Sequence, residues 1–172
     1  MLIRIEELSK HHQRKIFDCG VAELNKFLQQ QARQSTSKQI SKTWVACAAS
    51  APDVILGYHT ITGYSVITPP AHKLYKQYPH PLAAVKLARL AVDQTNQGKR
   101  IGERLLVDAI YRTALVAEQI SAIGLFVDPM SPEIVSFYQQ FGFQKADRGD
   151  PSRLEMWLPI SNCYHIAQQI TG

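Results

Sequence analysis

The chain has 172 residues, 45% of them apolar and 19% charged, with a formal net charge of +5. This suits a single domain able to bury a core and excludes disorder as the default state. No apolar run reaches the length of a membrane span, and the opening MLIRIEELSKHH lacks a signal-peptide pattern. Cys19, Cys47 and Cys163 are scattered, with no C-x-x-C spacing, which points to buried thiols in a reducing compartment, most simply the cytoplasm. The modest positive excess permits contact with nucleic acid without proving it.

Residues 1–6 alternate apolar and polar and read as a first strand. A basic loop over 10–17 follows. Residues 21–34 read as a helix, because Leu24, Phe27, Leu28 and Ala32 recur at helical spacing. The polar stretch 29–41 reads as a helix end followed by a loop. Residues 44–49 form a short apolar strand, Ala51-Pro52-Asp53 supplies turn chemistry, and 54–67 form a long strand broken near Gly63. Strand, turn, strand implies an antiparallel hairpin. His59 in that strand is expected to be a bystander. Four prolines make 69–81 a loop, and its Lys73, Tyr75, Lys76 and Tyr78 read first as ordinary surface residues.

The stretch LARLAVDQTNQGKRIGERLL, residues 87–106, organises the rest. It reads as a strand over 87–93, a glycine turn, and a helix over 101–117. Period-two alternation sets Leu87, Arg89, Ala91 and Asp93 on one side of the strand and Ala88, Leu90 and Val92 on the other. In the helix, Leu105, Leu106, Ala109, Ile110 and Ala117 share the apolar face. A helix start carries unpaired N–H groups and the positive end of the macrodipole, so it attracts phosphate. Gly98 and Gly102 allow close approach, and Lys99 and Arg100 add charge. Residues 122–127 form a strand parallel to the organising one. Ser131-Pro132-Glu133 starts a helix that ends at Gly142. A strand from Phe143, a turn over 148–151, a returning strand over 154–158 and a short terminal helix complete an α/β chain.

Three ordered motifs resemble a known family. Gln97-Gly98-Lys99-Arg100-Ile101-Gly102 resembles the Q/R-x-x-G-x-G/A pyrophosphate loop of the GCN5-related N-acetyltransferases (GNATs), with Arg100 standing where glycine is usual. Phe17-Asp18-Cys19-Gly20, followed by Glu23-Leu24-Asn25-Lys26-Phe27-Leu28, resembles the opening of acetyltransferase toxins from bacterial toxin–antitoxin pairs. Phe137-Tyr138-Gln139-Gln140-Phe141-Gly142-Phe143 resembles their FY-x-x-FGF segment. The resemblance runs to about residue 160. It implies an acyltransferase domain over 1–160 and a tail or short helix over 161–172. The implied fold is a mixed, mostly antiparallel sheet with helices on both faces and splayed central parallel strands.

The resemblance also implies chemistry. Acetyl-CoA is the implied co-substrate, with no metal. Backbone of Gln97, Gly98, Lys99, Arg100, Ile101 and Gly102 would hold its pyrophosphate. Backbone of Leu90, Ala91 and Val92 would pair with the pantetheine arm, one N–H meeting the thioester oxygen. Arg100 is expected to keep a right-handed backbone, since positive φ is costly for it. Tyr138 is the implied proton donor to the departing thiolate; by spacing alone it would read as a core tyrosine. The implied acceptor is the α-amino group of an aminoacyl-tRNA, a sizeable fraction of which is neutral without a dedicated base because its pKa is about 8. Arg89 and then Lys86 are the candidate tRNA contacts, against a plain Arg89–Asp93 ion pair. Implied partners are a ribbon-helix-helix antitoxin and, as an option, a second copy. An acetyltransferase acting on a small amine or protein N-terminus, and a non-catalytic cofactor-binding regulator, are the alternatives.

Overall fold

The computed structural model describes residues 1–67 and 81–172. Apart from Pro81, the proline-rich loop with Lys73, Tyr75, Lys76 and Tyr78 lies outside the described residues. The strands are β1 (Ile3–Glu7), β2 (Lys42–Ala48), β3 (Ala51–Val66), β4 (Leu82–Val92), β5 (Gly124–Val127), β6 (Gln144–Lys145) and β7 (Met156–Pro159). The helices are α1 (Ala22–Lys26), α2 (Ala32–Ser37), α3 (Ile101–Ile120), α4 (Val135–Gln139) and α5 (Ile160–Thr171). The hydrogen-bonded strand order is β1-β2-β3-β4-β5-β7-β6. Pairing is antiparallel for β1–β2, β2–β3, β5–β7 and β6–β7, and parallel for β4–β5, so the fold is the expected mixed α/β sheet. Among the described residues no helix is long and apolar enough to cross a membrane.

Two compact units make up the chain: Met1–Thr62 with Ala88–Ala109, and Gly63–Leu87 with Ile110–Gly172. In the first, alternation along β2 feeds two cores. Val45 and Cys47 pack with Phe17, Phe27, Leu28, Ala32, Tyr58 and Ala91. Ala46 and Ala48 pack with Leu56, Ile101 and Leu105, and with Leu90 and Val92. Period-two alternation places these sets on opposite sheet faces, one under α1 and α2, the other under α3. The first helix extends to Ser37, three residues beyond the predicted end, and contains a π-helical segment, Phe27–Gln31.

The β2–β3 turn falls at Ala49-Ser50 rather than at the predicted Ala51-Pro52-Asp53, since Ala48 faces Ala51. Cys47 faces Ile55, so residues 52–54 are absorbed as a bulge. Proline lacks the ladder N–H, and a bulge is where a sheet tolerates it. Gly63 does not break β3, which runs 16 residues. Gly57 is demanded by packing: a Cβ there would sit 2.8 Å from both the Ala91 carbonyl oxygen and Leu105 Cδ1.

In the second unit, β5 pairs with β4 over Val85–Leu125, Lys86–Phe126 and Leu87–Val127. β4 continues to Val92, with no β5 partner for those last residues. β5 itself ends at Val127, the partner of Leu87, so the parallel ladder stops there. β4 begins at Leu82, five residues before the predicted start, because Ala83 and Ala84 give little strand signal. Phe126 stacks on Trp157 at 5.4 Å and meets the Tyr64 ring edge at 5.3 Å. α5 packs on β5 and β7, where the Cys163 thiol donates to the Leu158 carbonyl at 3.7 Å. Ser131 does not cap a helix with its side chain. Pro132–Ile134 forms a 3-10 turn ahead of α4, and the Ser131 hydroxyl bonds the Glu133 carboxylate instead. Gly142, at φ +90°, lies just past α4 as expected.

Gly57→Ala must push either a backbone carbonyl or a core leucine. It is expected to cost about 1–3 kcal/mol, read from the urea midpoint at constant slope.

Candidate active site

The first turn of α3 follows a loop built from Gln97 to Arg100. The first helical bond runs from Arg104 N to Arg100 O, so the N–H groups of Ile101, Gly102 and Glu103 have no helical acceptor. They lie at the positive end of a 20-residue helix. Gly98 takes φ +77° and Arg100 takes φ +61°. Arg100 therefore does not keep the expected right-handed backbone. It adopts the left-handed conformation of the glycine it replaces, despite its Cβ. Its guanidinium is exposed and binds Glu103 at 2.8 Å. Lys99 donates to Asn96 Oδ1 at 3.1 Å. A diphosphate fits these groups: free amides, a helix end and two cations within its reach.

The Phe17-Asp18-Cys19-Gly20 motif fixes this loop from beside it. Asp18 N–H donates to Asp93 Oδ2 at 3.0 Å, and Gln94 N–H donates to the Asp18 carbonyl at 2.8 Å. The Gln97 amide donates to the carbonyls of Cys19 (3.3 Å) and Val92 (3.1 Å). Asp18 Oδ1 accepts from Gly20 N and Asn25 Nδ2, each at 2.8 Å. Asp93 also accepts from the Thr95 hydroxyl at 2.7 Å and the Thr95 N–H at 3.0 Å. Burial opposes ionisation of Asp93, but these donors outweigh it and hold its carboxyl below the usual range.

Asp93 is thus committed elsewhere, and the alternative Arg89–Asp93 pair does not form. Arg89 lies flat on Phe27, its guanidinium carbon 3.6 Å from the ring centroid. Phe27 opens the π-helical segment and stacks on Tyr58 at 6.3 Å; the Tyr58 hydroxyl donates to the Leu24 carbonyl at 2.8 Å. Leu90 and Val92 pack toward Ile101 and Leu105, and Ala91 faces the other core, as alternation predicts. Lys86 is held by Asp128 and by Glu155 at 3.5 Å.

Tyr138 sits in α4 with 5% of its surface exposed. Its ring meets Phe137 at 5.2 Å and Phe143 at 5.5 Å, both edge-on. Burial pushes its hydroxyl up to about 12, so it carries its proton throughout the neutral range.

Other chemistry-bearing groups have structural roles. His59 is fully buried, stacked on Trp44 at 5.3 Å, with Nε2 2.6 Å from Asp108. Glu6, His11 and His12 bring three potential metal-ligand atoms within 4.8 Å. His12 Nδ1 accepts the Ser9 N–H at 3.0 Å, so the neutral ring carries its proton on Nε2, aimed at Glu6 at 2.9 Å. A metal at Nε2 would have to break that arrangement.

Known proteins share the family and the fold. The family model for the acetyltransferase (GNAT) domain matches residues 39–145. The chain belongs to the GNAT family. It is 29% identical over 129 residues to a tRNA-acetylating toxin of Mycobacterium tuberculosis, covering 74% of this chain and 76% of that one. The fold matches a tyrosine-to-phenylalanine variant of KacT at a TM-score of 0.87, with 23% identity over 96% of this chain and 99% of that one. It matches AtaT complexed with acetyl-methionyl-tRNAfMet at 0.84, with 24% identity over 95% and 98%.

The ties from Asp18 and Asp93 to the GNAT loop were not predicted from the sequence. The one available signal was the Asp-Cys-Gly turn itself, whose aspartate and glycine mark a tight hydrogen-bonded corner. The left-handed backbone at Arg100 has a testable cost. Arg100→Gly is expected to raise the urea midpoint of the free protein, because the glycine adopts the same φ without a Cβ clash and an exposed ion pair stabilises little.

Proposed function

We propose that the protein transfers the acetyl group of acetyl-CoA to the α-amino group of an aminoacyl-tRNA, blocks translation in the cytoplasm, and is neutralised by a cognate antitoxin of the ribbon-helix-helix type. The observation that carries this reading is the start of α3, with the N–H groups of Ile101 and Gly102 open behind a loop tied to the Asp18 turn, in a GNAT chain whose curated relative is named a tRNA-acetylating toxin.

Acetyl-CoA supplies an acyl group activated as a thioester. In this reading the amides of Gln97, Gly98, Lys99, Arg100, Ile101 and Gly102 bind the diphosphate, and the guanidinium of Arg100 and ammonium of Lys99 neutralise it. Main-chain groups of Leu90, Ala91 and Val92, beyond the last β4–β5 pair, bind the pantetheine arm as an added strand would. One of their N–H groups stabilises the thioester oxygen as charge develops. The amine nitrogen bonds the acetyl carbon, the carbon–sulfur bond breaks, the nitrogen loses a proton to water, and Tyr138 gives its proton to the leaving sulfur.

A phenol held near 12 is a poor donor to a thiolate whose conjugate thiol sits at ~8.5 in water. Burial acts on both partners. A thiolate leaving into a desolvated slot is likewise a stronger base than it is in water, which narrows the gap to the phenol. Of the two candidate tRNA contacts, Arg89 lies on an aromatic ring, and Lys86 is held by the buried Glu155 and the half-exposed Asp128.

The purified protein with labelled acetyl-CoA and charged tRNA is expected to yield N-acetyl-aminoacyl-tRNA. Amino groups left intact on the tRNA, with label on small amines instead, would move the assignment to another GNAT acceptor. Tyr138→Phe is expected to lower kcat by about 10²–10⁴-fold while acetyl-CoA affinity, read by calorimetry, stays within about twofold. The rate should climb between pH 6 and 9 as the ammonium, near ~8, loses its proton. No fall from Tyr138 is expected in that range, because its hydroxyl stays protonated up to about 12.

A further inference from the structure

Glu155, the residue before β7, is 1% exposed, yet it is an ionisable carboxylate surrounded by donors. Arg148 Nε lies 2.7 Å from Oε1. Arg153 Nη2, Lys86 Nζ and the Tyr64 hydroxyl reach Oε2 at 3.0, 3.5 and 2.8 Å. Arg148 also donates to the Tyr64 hydroxyl at 2.6 Å, and Lys86 sits 4.5 Å above the Tyr64 ring. A buried carboxylate needs compensation, but one cation and a few hydrogen bonds suffice. Three cations converge here.

The second carboxylate in the cluster is of a different kind. Asp128 is 49% exposed; it contacts Lys86 closely and Arg153 only loosely, at 3.9 Å. Arg153 is 44% exposed, against 10% for Arg148 and 17% for Lys86. Lys86 and Asp128 flank the final rung of the β4–β5 ladder, Leu87–Val127, so the cluster stands where that pairing stops. Arg153 is thus the half-exposed cation of the cluster, and the carboxylate beyond it, Asp128, is itself half-exposed and 3.9 Å away.

We propose that Lys86, Arg148 and Arg153, oriented by the buried Glu155, form a phosphate-receiving site for the acceptor end of the RNA. Asp128 occupies the phosphate position when no substrate is bound. Glu155 is a positioning residue: it meets the cations and not the substrate. The proposal rests on the aminoacyl-tRNA reading and extends it. A phosphate entering between Lys86 and Arg153 displaces Asp128 and keeps the inner contacts to Glu155. Arginine suits the task because its planar fork bonds one anion inward and another outward.

The test is filter binding of charged tRNA by the full chain across a salt series. Arg153→Ala is expected to weaken binding about five- to tenfold at 0.1 M salt and to flatten the log–log salt slope by about one. Asp128→Asn is expected to tighten binding several-fold. Asp147→Asn makes the same charge change on an exposed carboxylate of the same β6–β7 connection and is expected to leave affinity unchanged. Thermal unfolding of each variant checks that the fold is intact. Parent-like affinity and slope for both Arg153→Ala and Asp128→Asn would overturn the proposal while leaving the aminoacyl-tRNA reading standing. Failure of the parent protein to bind charged tRNA at all would overturn both.

Discussion

Two carboxylates, Asp18 and Asp93, hold the candidate donor site together. Asp93 receives the backbone N–H of residue 18, and the carbonyl of residue 18 receives the N–H of the residue after Asp93. The reciprocal pair welds the end of β4 to the turn before α1. Everything downstream depends on that weld, because the loop from Gln97 to Arg100 has few other fixed points. Gln97 is pinned through Cys19 and Val92, and a Cβ on Gly20 would collide with the Gln94 side chain at 2.6 Å. A helix end can attract an anion anywhere. It binds a particular phosphate only when the preceding loop is held still.

The same economy appears at Arg89. A cation on a half-buried strand usually finds a carboxylate, and Asp93 was the obvious partner at four residues' distance. Asp93 is spent on the weld, so the guanidinium settles on Phe27. Phe27 in turn sits where α1 gives way to π-helical geometry. Such segments insert a residue into the helical repeat and are frequent where side chains must be re-aimed.

Much of this was legible in the sequence, for physical reasons that can be named. The α3 face of Leu105, Leu106, Ala109 and Ile110 was clear because four apolar side chains at helical spacing leave few alternatives. All four are fully buried. The early start of β4 was invisible, since alanines signal neither strand nor helix there. The hairpin turn was misplaced because Pro52 and Asp53 carry turn chemistry but sit in a bulge. Arg100 was misjudged for a related reason: residue type predicts a right-handed backbone, and the loop closure overrides it. The Glu155 cluster lies beyond sequence reading entirely, since Tyr64, Lys86, Asp128, Arg148 and Arg153 meet only through the sheet.

The three cysteines add a property unconnected with catalysis. All are free and buried; burial is the leading influence on each thiol and raises it above its ordinary value. Cys19 and Cys47 belong to one compact unit and Cys163 to the other. Thiolates, not thiols, are alkylated, so each sulfur stays inert until its surroundings open. The chain thereby carries its own reporters: the order in which a maleimide labels these positions reads out which half breathes first, without any engineered probe.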